Sequence, residues 1–291
     1  MKPILTLIFA AIFAAPLAIF PQGHTPANNA RLTGTITDRD ARLPLAYATI
    51  GILNKPVGTV ADSLGRFELV VDKQYPDDTL QVTLVGYYPI QSTLHELMRA
   101  NGPLTISLVK KVIALNEVVV TNRFRHTVVV GRQSSGGFLT ASIVPKGDKA
   151  PIIGAESGLK VHIDHYPALL ENASFYVSRN NFKHVKFRLN IYSLKHNVPD
   201  TLLFNREILV TLDNNKTGWA SIDLSPYNLV LHNDCAVTLQ WVDYNKDMVA
   251  APLILIPVSP SFSHVNYYRA AGQDKWKSIK GNASFYVTLE D

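Results

Sequence analysis

Hydrophobic and polar residues alternate along most of the chain, in short runs that are separated by turn residues. The clearest run covers residues 184–192, and its apolar and polar positions fall on opposite faces: Val185, Phe187, Leu189 and Ile191 against Lys186, Arg188 and Asn190. A period of two is typical of strands with one buried face. Many such runs at this spacing, with one short helical piece at residues 92–99, predict an all-β protein built from two β-sandwich domains.

The first residues follow a different pattern. Met1 and Lys2 precede an apolar run at residues 4–20, which polar residues then follow. This layout predicts a secretory signal peptide at residues 1–23. A membrane anchor is the alternative, although the run is short and Pro16 interrupts it. We therefore expect an exported protein, periplasmic or outer-membrane associated, with no transmembrane segment in the mature chain.

Turn signals and composition divide the rest of the chain into three parts. Residues 31–121 are predicted to form an N-terminal, prealbumin-like β-sandwich, residues 122–136 a basic Gly/Ser junction, and residues 137–291 a jelly-roll-like β-sandwich. The basic excess lies in residues 110–160, with eight basic and three acidic residues. In an exported protein this favours a solvated linker, with an anionic envelope surface as the alternative partner, and no nucleic acid is expected.

Four short motifs occur in order within residues 34–87: Gly34-x-Ile36-x-Asp38, Pro44-Leu45-x-x-Ala48-x-Ile50, Gly58-Thr59-x-x-Asp62-x-x-Gly65-x-Phe67 and Val85-Gly86-Tyr87. Together they resemble the carboxypeptidase regulatory-like (prealbumin-like) family. The resemblance implies a sandwich that binds or spaces and is not itself an enzyme. Gly65 is expected to supply a left-handed turn, and Asp62 to accept hydrogen bonds from turn amides.

The segment Leu115-Asn116-Glu117-Val118-Val119-Val120-Thr121 is similar to the one that leads from such domains into TonB-dependent outer-membrane receptors. Only 170 residues follow Thr121, too few for a large receptor barrel. We therefore expect the regulatory-like domain to stand here without a transporter.

A six-residue repeat stands in the second half of the chain. Residues 172–177 read Asn-Ala-Ser-Phe-Tyr-Val, and residues 282–287 repeat them without change. We predict two strands in similar environments, at the two ends of one sandwich, that bury Ala, Phe and Val alternately. A duplicated ligand site is the alternative.

Catalytic motifs are absent from the sequence. The His and Glu spacing of zinc peptidases is missing, and no cofactor or catalytic residue is expected. His162, Asp164 and His165 could supply three metal ligands, but residues three apart on a strand point to opposite faces, which favours an exposed loop. Cys235 is the only cysteine and is expected to be a small buried hydrophobe.

Three functions remain. The first is a non-catalytic envelope protein of a Gram-negative bacterium, acting as a binding, docking or spacer module with an envelope protein or glycan as partner. The second is carbohydrate binding by the C-terminal sandwich, through a set of aromatic residues and one carboxylate: Trp276, Tyr267, Tyr268, Trp241 and Asp243. Trp276 is the best exposed candidate, whereas Trp219 and Trp241 are expected in the core. The third is an unrecognised hydrolase, which requires His162 or His165 to meet a carboxylate or Ser157.

Overall fold

The computed structural model of the 291-residue chain describes residues 29–100, 102–111, 126–143, 153–245 and 253–291. The predicted signal peptide and the segment 115–121 lie outside these residues. Apart from two short helical turns, the elements are strands, so the predicted all-β class is confirmed. Within the described ranges, no helix has the length and apolar character needed to cross a membrane.

Residues 29–108 form a sandwich of two sheets. Their elements in chain order are β1 (Asn29–Asp38), β2 (Thr49–Ile52), β3 (Gly58–Val60), β4 (Arg66–Asp72), β5 (Thr79–Thr83), β6 (Ile90–Thr93), α1 (Leu94–Met98) and β7 (Leu104–Leu108). Sheet I has the order β4-β1-β7, and sheet II has the order β3-β2-β5-β6. The core between them buries Ile36, Ile50 and Phe67, which the alternating pattern places on inward faces.

Asp38 and Tyr87, which close the first and last of the four motifs, meet in the fold. The Tyr87 hydroxyl donates to Asp38 Oδ2 at 2.9 Å, and the Asp40 and Ala41 amides donate to Asp38 Oδ1 at 2.8 Å. The Ala41 amide and then the Tyr87 hydroxyl hold the pKa of Asp38 below its ordinary value. Burial and the neighbouring carboxylate raise the pKa of Tyr87 to about 12. The motif thus fixes the end of β1 against the 84–88 turn.

The turn before β4 has the predicted chemistry. Asp62 Oδ1 accepts hydrogen bonds from the Leu64 and Arg66 amides, both at 2.9 Å. Gly65 has a φ of +71°, and a Cβ there would lie 2.7 Å from the Ile36 carbonyl oxygen. Only glycine satisfies both the left-handed backbone and this close approach to β1.

The described residues from 126 onward form the second sandwich. Its strands in chain order are β8 (Thr127–Gly131), β9 (Leu139–Ser142), β10 (Glu156–Val161), β11 (Ala168–Val177), β12 (Arg179–Asn180), β13 (His184–Lys195), β14 (Val198–Leu202), β15 (Ile208–Asp213), β16 (Gly218–Asp223), β17 (Leu229–Leu231), β18 (Cys235–Tyr244), β19 (Ile254–Ser259), β20 (Val265–Arg269), β21 (Lys277–Lys280), β22 (Asn282–Ala283) and β23 (Phe285–Glu290). A short 3-10 helix covers Ser225–Tyr227.

Three sheets enclose one core. Sheet III has the order β14-β13-β18-β10-β20-β21, with β15 also on β13; sheet IV has the order β16-β11-β23-β8, with β17 also on β11; sheet V has the order β12-β19-β22, with β9 also on β19. Buried side chains from all three sheets form a single hydrophobic cluster, in which Cys235 is fully buried as predicted. Part of the predicted junction was wrongly placed, because residues 127–131 pair with β23 as a strand of sheet IV. The three consecutive valines at positions 128–130 are strong strand formers, which explains why this segment is a strand.

The two copies of the repeat lie side by side. β11 pairs antiparallel with β23, so that Ala173 faces Val287 and Phe175 faces Phe285, with ring centroids 6.2 Å apart. The predicted placement at two ends of a sandwich was therefore wrong, whereas the predicted burial of Phe175 and Val287 is confirmed. The repeat has a further consequence, because its two tyrosines project from the same outer face of sheet IV.

The Gly65→Ala variant should lose about 2 kcal/mol of unfolding free energy, because the new Cβ meets Ile36 in a left-handed backbone. The matched control is Gly136→Ala, where a Cβ would have no neighbour within 4 Å. Chemical denaturation of both variants measures the difference. Equal stabilities would refute the assigned role of Gly65.

Candidate functional site

The aromatic residues predicted to bind sugar do not form a site. Trp241 and Tyr267 are 0% and 1% exposed, so the prediction that they stack on a ligand is wrong. Trp241 lies on the core side of β18, where it packs on Phe182 with ring centroids 5.7 Å apart. Asp243 accepts a hydrogen bond from the Tyr47 hydroxyl at 3.4 Å and therefore contacts the N-terminal sandwich.

Trp276 and Tyr268 are half-buried, on separate elements. The Arg269 guanidinium stands over the Trp276 ring, 4.4 Å from its centroid, and Tyr192 meets the same ring edge-on at 5.5 Å. The side chain that the sequence favoured for sugar binding is thus packed against its own protein. Tyr268 follows the buried Tyr267 on β20 and points to the other side of that strand.

The predicted metal residues line one cavity without forming a metal site. His162, Asp164 and His165 surround a space of about 250 Å³ together with His126 and Asp291. Among the described residues, no group of three His, Cys, Asp or Glu side chains is placed to hold a metal ion. These three side chains therefore do not come together as metal ligands, and they lie on an exposed loop after β10, as the strand geometry favoured.

The His162 ring instead contacts Asp234, which lies on the turn before β18. Asp234 Oδ1 lies 2.9 Å from His162 Nδ1 and accepts from the Tyr166 hydroxyl at 2.9 Å. Burial acts to raise the pKa of Asp234, but its hydrogen bonds from His162, the Ile163 amide and Tyr166 together lower it. Ser157 lies on β10, five residues before His162, which follows the end of that strand; the two residues are about 16 Å apart and form no Ser-His pair.

The outer face of sheet III carries polar side chains that are buried. Alternation predicts a solvated face there, yet the exposed fractions of these residues are at most 4%: Glu156, Arg188, Asn190, Thr238 and Gln240. Buried polar groups are costly unless they are hydrogen-bonded. The partners of these groups therefore decide the architecture of the protein.

Glu156, at the start of β10, is one centre of this face. Asn190 Nδ2 donates to Glu156 Oε1 at 2.8 Å, and Arg269 Nε donates to Oε2 at 2.9 Å. Thr238 and Tyr192 donate through their hydroxyls. Burial by itself lowers the pKa of Arg269, but the facing Glu156 carboxylate keeps it above its ordinary value. The carboxylate is thus held as a structural ion pair.

Arg188, on β13, is the second centre and crosses to the N-terminal sandwich. Its Nη2 donates to the Tyr47 carbonyl oxygen at 2.7 Å, and its Nη1 donates to Gln240 Oε1 at 3.0 Å. The guanidinium also forms an ion pair with Glu207 at 2.6 Å. Gln240 in turn donates to Thr49 Oγ1 at 3.2 Å. Arg188 and Gln240 therefore both join sheet III to the N-terminal sandwich.

Gln273, in the turn after β20, makes a second connection. The Asn54 amide donates to its backbone carbonyl oxygen at 2.8 Å. Its side chain accepts from Gln81 Nε2 and donates to Thr83 Oγ1, both at 2.9 Å. Next to it, a Cβ on Gly272 would collide with Thr49 Cγ2. We call the contacts made by Arg188, Gln240, Gly272 and Gln273 with the N-terminal sandwich the domain seam.

The outer face of sheet IV carries a different group. Trp219 on β16 meets Tyr176 on β11 with ring centroids 5.4 Å apart, and Tyr286 on β23 at 5.2 Å, with planes at 69° in both cases. All three rings are half-buried. We call these three residues the aromatic cluster.

The sequence contained a signal for this cluster. The tyrosines occupy the same position of the two repeats, next to the inward-facing Phe175 and Phe285, and therefore point outward. Trp219 was expected in the core, which is wrong. On β16 the inward, buried positions are Ala220 and Ile222, and Trp219 points to the opposite face.

A hydroxyl and amide group continues the same face. Asn172 Nδ2 donates to Ser221 Oγ at 2.9 Å, and Ser174 Oγ donates to Asn172 Oδ1 at 2.7 Å. Ser221 is exposed and Asn172 is half-buried. Polar donors and acceptors thus stand directly beside the aromatic cluster.

Comparison with known proteins identifies one part of the chain. Residues 32–120 match the family model of the CarboxypepD_reg-like domain, which confirms the resemblance read from the four motifs. No curated protein matches the chain.

Solved structures give distant likenesses. One contains the cysteine protease and lectin-like domains of Cwp84, a surface layer associated protein of Clostridium difficile, with 9% identity and a TM-score of 0.41, covering 88% of this chain and 54% of that chain. Another is the subviral particle of infectious bursal disease virus VP2, with 8% identity and a TM-score of 0.24, covering 90% of this chain and 63% of that chain. These likenesses are too distant for any statement about activity.

The Arg188→Leu variant should lose about 3 kcal/mol of unfolding free energy, because the Tyr47 carbonyl and the Gln240 side chain lose their buried donor. The matched control is Lys183→Leu, at an exposed residue just before β13, where little change in the unfolding free energy is expected. Denaturant titration of both variants measures the difference. A loss below about 0.5 kcal/mol in Arg188→Leu would contradict its role in the domain seam.

Proposed function

We propose that this protein is a non-catalytic exported module of the bacterial cell envelope, whose two sandwiches act as one rigid binding or spacer body. The observation that carries the proposal is the domain seam. A flexible tether between two domains leaves both surfaces wet, whereas here Arg188, Gln240 and Thr49 are each 2% exposed. A regulatory-like domain at residues 32–120 agrees with a supporting role rather than a catalytic one.

The polar chemistry of the described residues agrees with this proposal. Two of the buried ionic side chains have an ion-pair partner, Glu156 in Arg269 and Arg188 in the more exposed Glu207, whereas the buried Asp274 has no hydrogen-bond partner for its Oδ2 among the described residues. His162 meets the Asp234 carboxylate, which is one of the contacts that a hydrolase would require, whereas Ser157 on β10 lies about 16 Å from His162 and does not join it. We accordingly favour a binding or spacer role over hydrolysis.

Rigidity can be measured with spin labels on Gln74→Cys and Lys277→Cys, one exposed residue in each sandwich. Native Cys235 will not take the label, because burial raises the pKa of its thiol to about 12. Double electron–electron resonance should give one narrow distance distribution. Adding Gly272→Val should broaden it, because the new side chain collides with Thr49 in the domain seam.

The control for this measurement is Gly136→Val, which has open space at its Cβ and should leave the distribution narrow. A broad distribution in the double-cysteine protein without Gly272→Val would show hinged domains. That result would overturn the rigid-body part of the proposal.

Export is tested by expressing the full chain in a Gram-negative host and sequencing the N-terminus of the recovered protein. The expected result is cleavage between Ala15 and Ala30, with the product in the periplasmic or outer-membrane fraction. Recovery of an uncleaved chain from the cytoplasm would contradict the proposed location.

A further inference from the structure

The free outer face of sheet IV is graded from aromatic to acidic side chains. Strand register places its outward residues in three successive rows across β16, β11 and β23. The first row holds Trp219 and Tyr176, the second Ser221, Ser174 and Tyr286, and the third Asp223, Asn172 and Thr288, with the exposed Val129 of β8 beside Thr288. Rows two residues apart on each strand are about 7 Å apart, so the three rows extend over about 14 Å.

The first two rows contain the aromatic cluster. Because β16 and β23 lie on opposite sides of β11, the Trp219 indole must extend across β11 to come within 5.2 Å of the Tyr286 ring. The small Ser174 occupies the intervening position on β11, opposite Tyr286. A half-buried aromatic group of this size on the outer face of a sheet points to an interaction surface, because the core does not require it.

The second and third rows supply hydrogen-bonding groups. Ser221 is exposed, and its hydroxyl and the Asn172 amide bond to each other at 2.9 Å. The Asn172 amide has a second N–H donor for a further partner, whereas the Ser221 hydroxyl already meets Ser174 Oγ at 3.0 Å and Asn172 Oδ1 at 3.1 Å and would exchange one of these bonds for a ligand. A ligand here would meet ring faces at one end and a hydroxyl and amide pair next to them.

Charge on this face restricts the ligand. Asp223 accepts hydrogen bonds from the Ser225 amide at 3.0 Å and from the Ser225 hydroxyl at 2.6 Å. These bonds lower the pKa of Asp223, so it is ionised at neutral pH. The Asp223 carboxylate, beside Ser221 of the second row, repels an anionic ligand and accepts hydrogen bonds from the hydroxyls of a neutral one.

From this arrangement we infer that the outer face of sheet IV binds a neutral glycan. The apolar C–H face of a sugar ring packs on the aromatic cluster, and sugar hydroxyls bond to Ser221, Asn172 and Asp223. A dry protein interface is a poorer match, because apart from Tyr286 and Val129 the second and third rows carry small polar or acidic side chains. The inference deepens the proposed function, on which it rests, by naming the class of ligand that the rigid body would hold.

The binding site is distinct from the one predicted from the sequence, and a pair of tryptophan variants separates the two. The full chain is tested on an array of neutral, anionic and amino-sugar oligosaccharides. Wild-type protein should bind one or more neutral glycans. Trp219→Ala should weaken that binding at least about tenfold, as loss of an aromatic anchor does. Trp276→Ala should leave the binding unchanged.

A second variant guards against misfolding of Trp219→Ala. Ser221→Arg changes an exposed side chain and keeps the three residues of the aromatic cluster. It places a bulky side chain in the second row, where the ligand would lie. It should abolish glycan binding while the thermal melting curve and circular dichroism spectrum remain those of the wild type.

Three outcomes overturn the inference: no neutral glycan bound by the wild type, binding confined to anionic glycans, or binding that survives both Trp219→Ala and Ser221→Arg. Any of these leaves the proposed function standing if the spin-label distance is narrow and the protein is exported. A broad distance with intact glycan binding would overturn the rigid body and leave the glycan site.

Discussion

A buried guanidinium must be surrounded by acceptors, and this requirement governs the architecture of the protein. Arg188 is 2% exposed and projects from the face of sheet III that points away from the core. Sheet III supplies one acceptor, Gln240, and the β14–β15 connection supplies Glu207. The remaining acceptor, the Tyr47 carbonyl oxygen, belongs to the N-terminal sandwich. Separating the two sandwiches would break this buried hydrogen bond and expose both groups to water, so Arg188 contributes to the contact between the two halves of the chain.

This arrangement also determines which surface is free. Sheets III and IV enclose a common core, and each has one outer face. The outer face of sheet III is covered at the domain seam, where Gln240 and Thr49 meet. The outer face of sheet IV keeps half-buried aromatic rings and exposed hydroxyls. The domain seam thus accounts for the buried outer face of sheet III, and the outer face of sheet IV is the one that we propose as a ligand surface.

Local patterns in the sequence predicted the class of fold and much of the strand content, because alternation and turn chemistry act over a few residues. The four motifs identified the N-terminal domain and its Asp62 turn. Alternation also predicted the polar face of β13, but it could not predict that Arg188 is buried, since its partner lies 141 residues away at Tyr47. The pairing of the two repeats was missed for the same reason, and with it the convergence of Tyr176 and Tyr286 on Trp219. Long-range pairing leaves no local signal in the sequence. Without it, the sequence favoured Trp276 as the sugar-binding residue, whereas in the fold Trp276 packs on Arg269.

The central claim is that the domain seam is a permanent part of the fold. Its most direct measure is amide hydrogen exchange at Asn54, an exposed turn residue whose N–H donates to the Gln273 carbonyl oxygen across the seam. If the sandwiches form one body, this amide exchanges as slowly as the core strands of sheet II, because it opens only when the whole structure opens. Exchange at the rate of an unstructured peptide, with the strands of both sandwiches protected, would show that the two domains separate in solution and would contradict the claim.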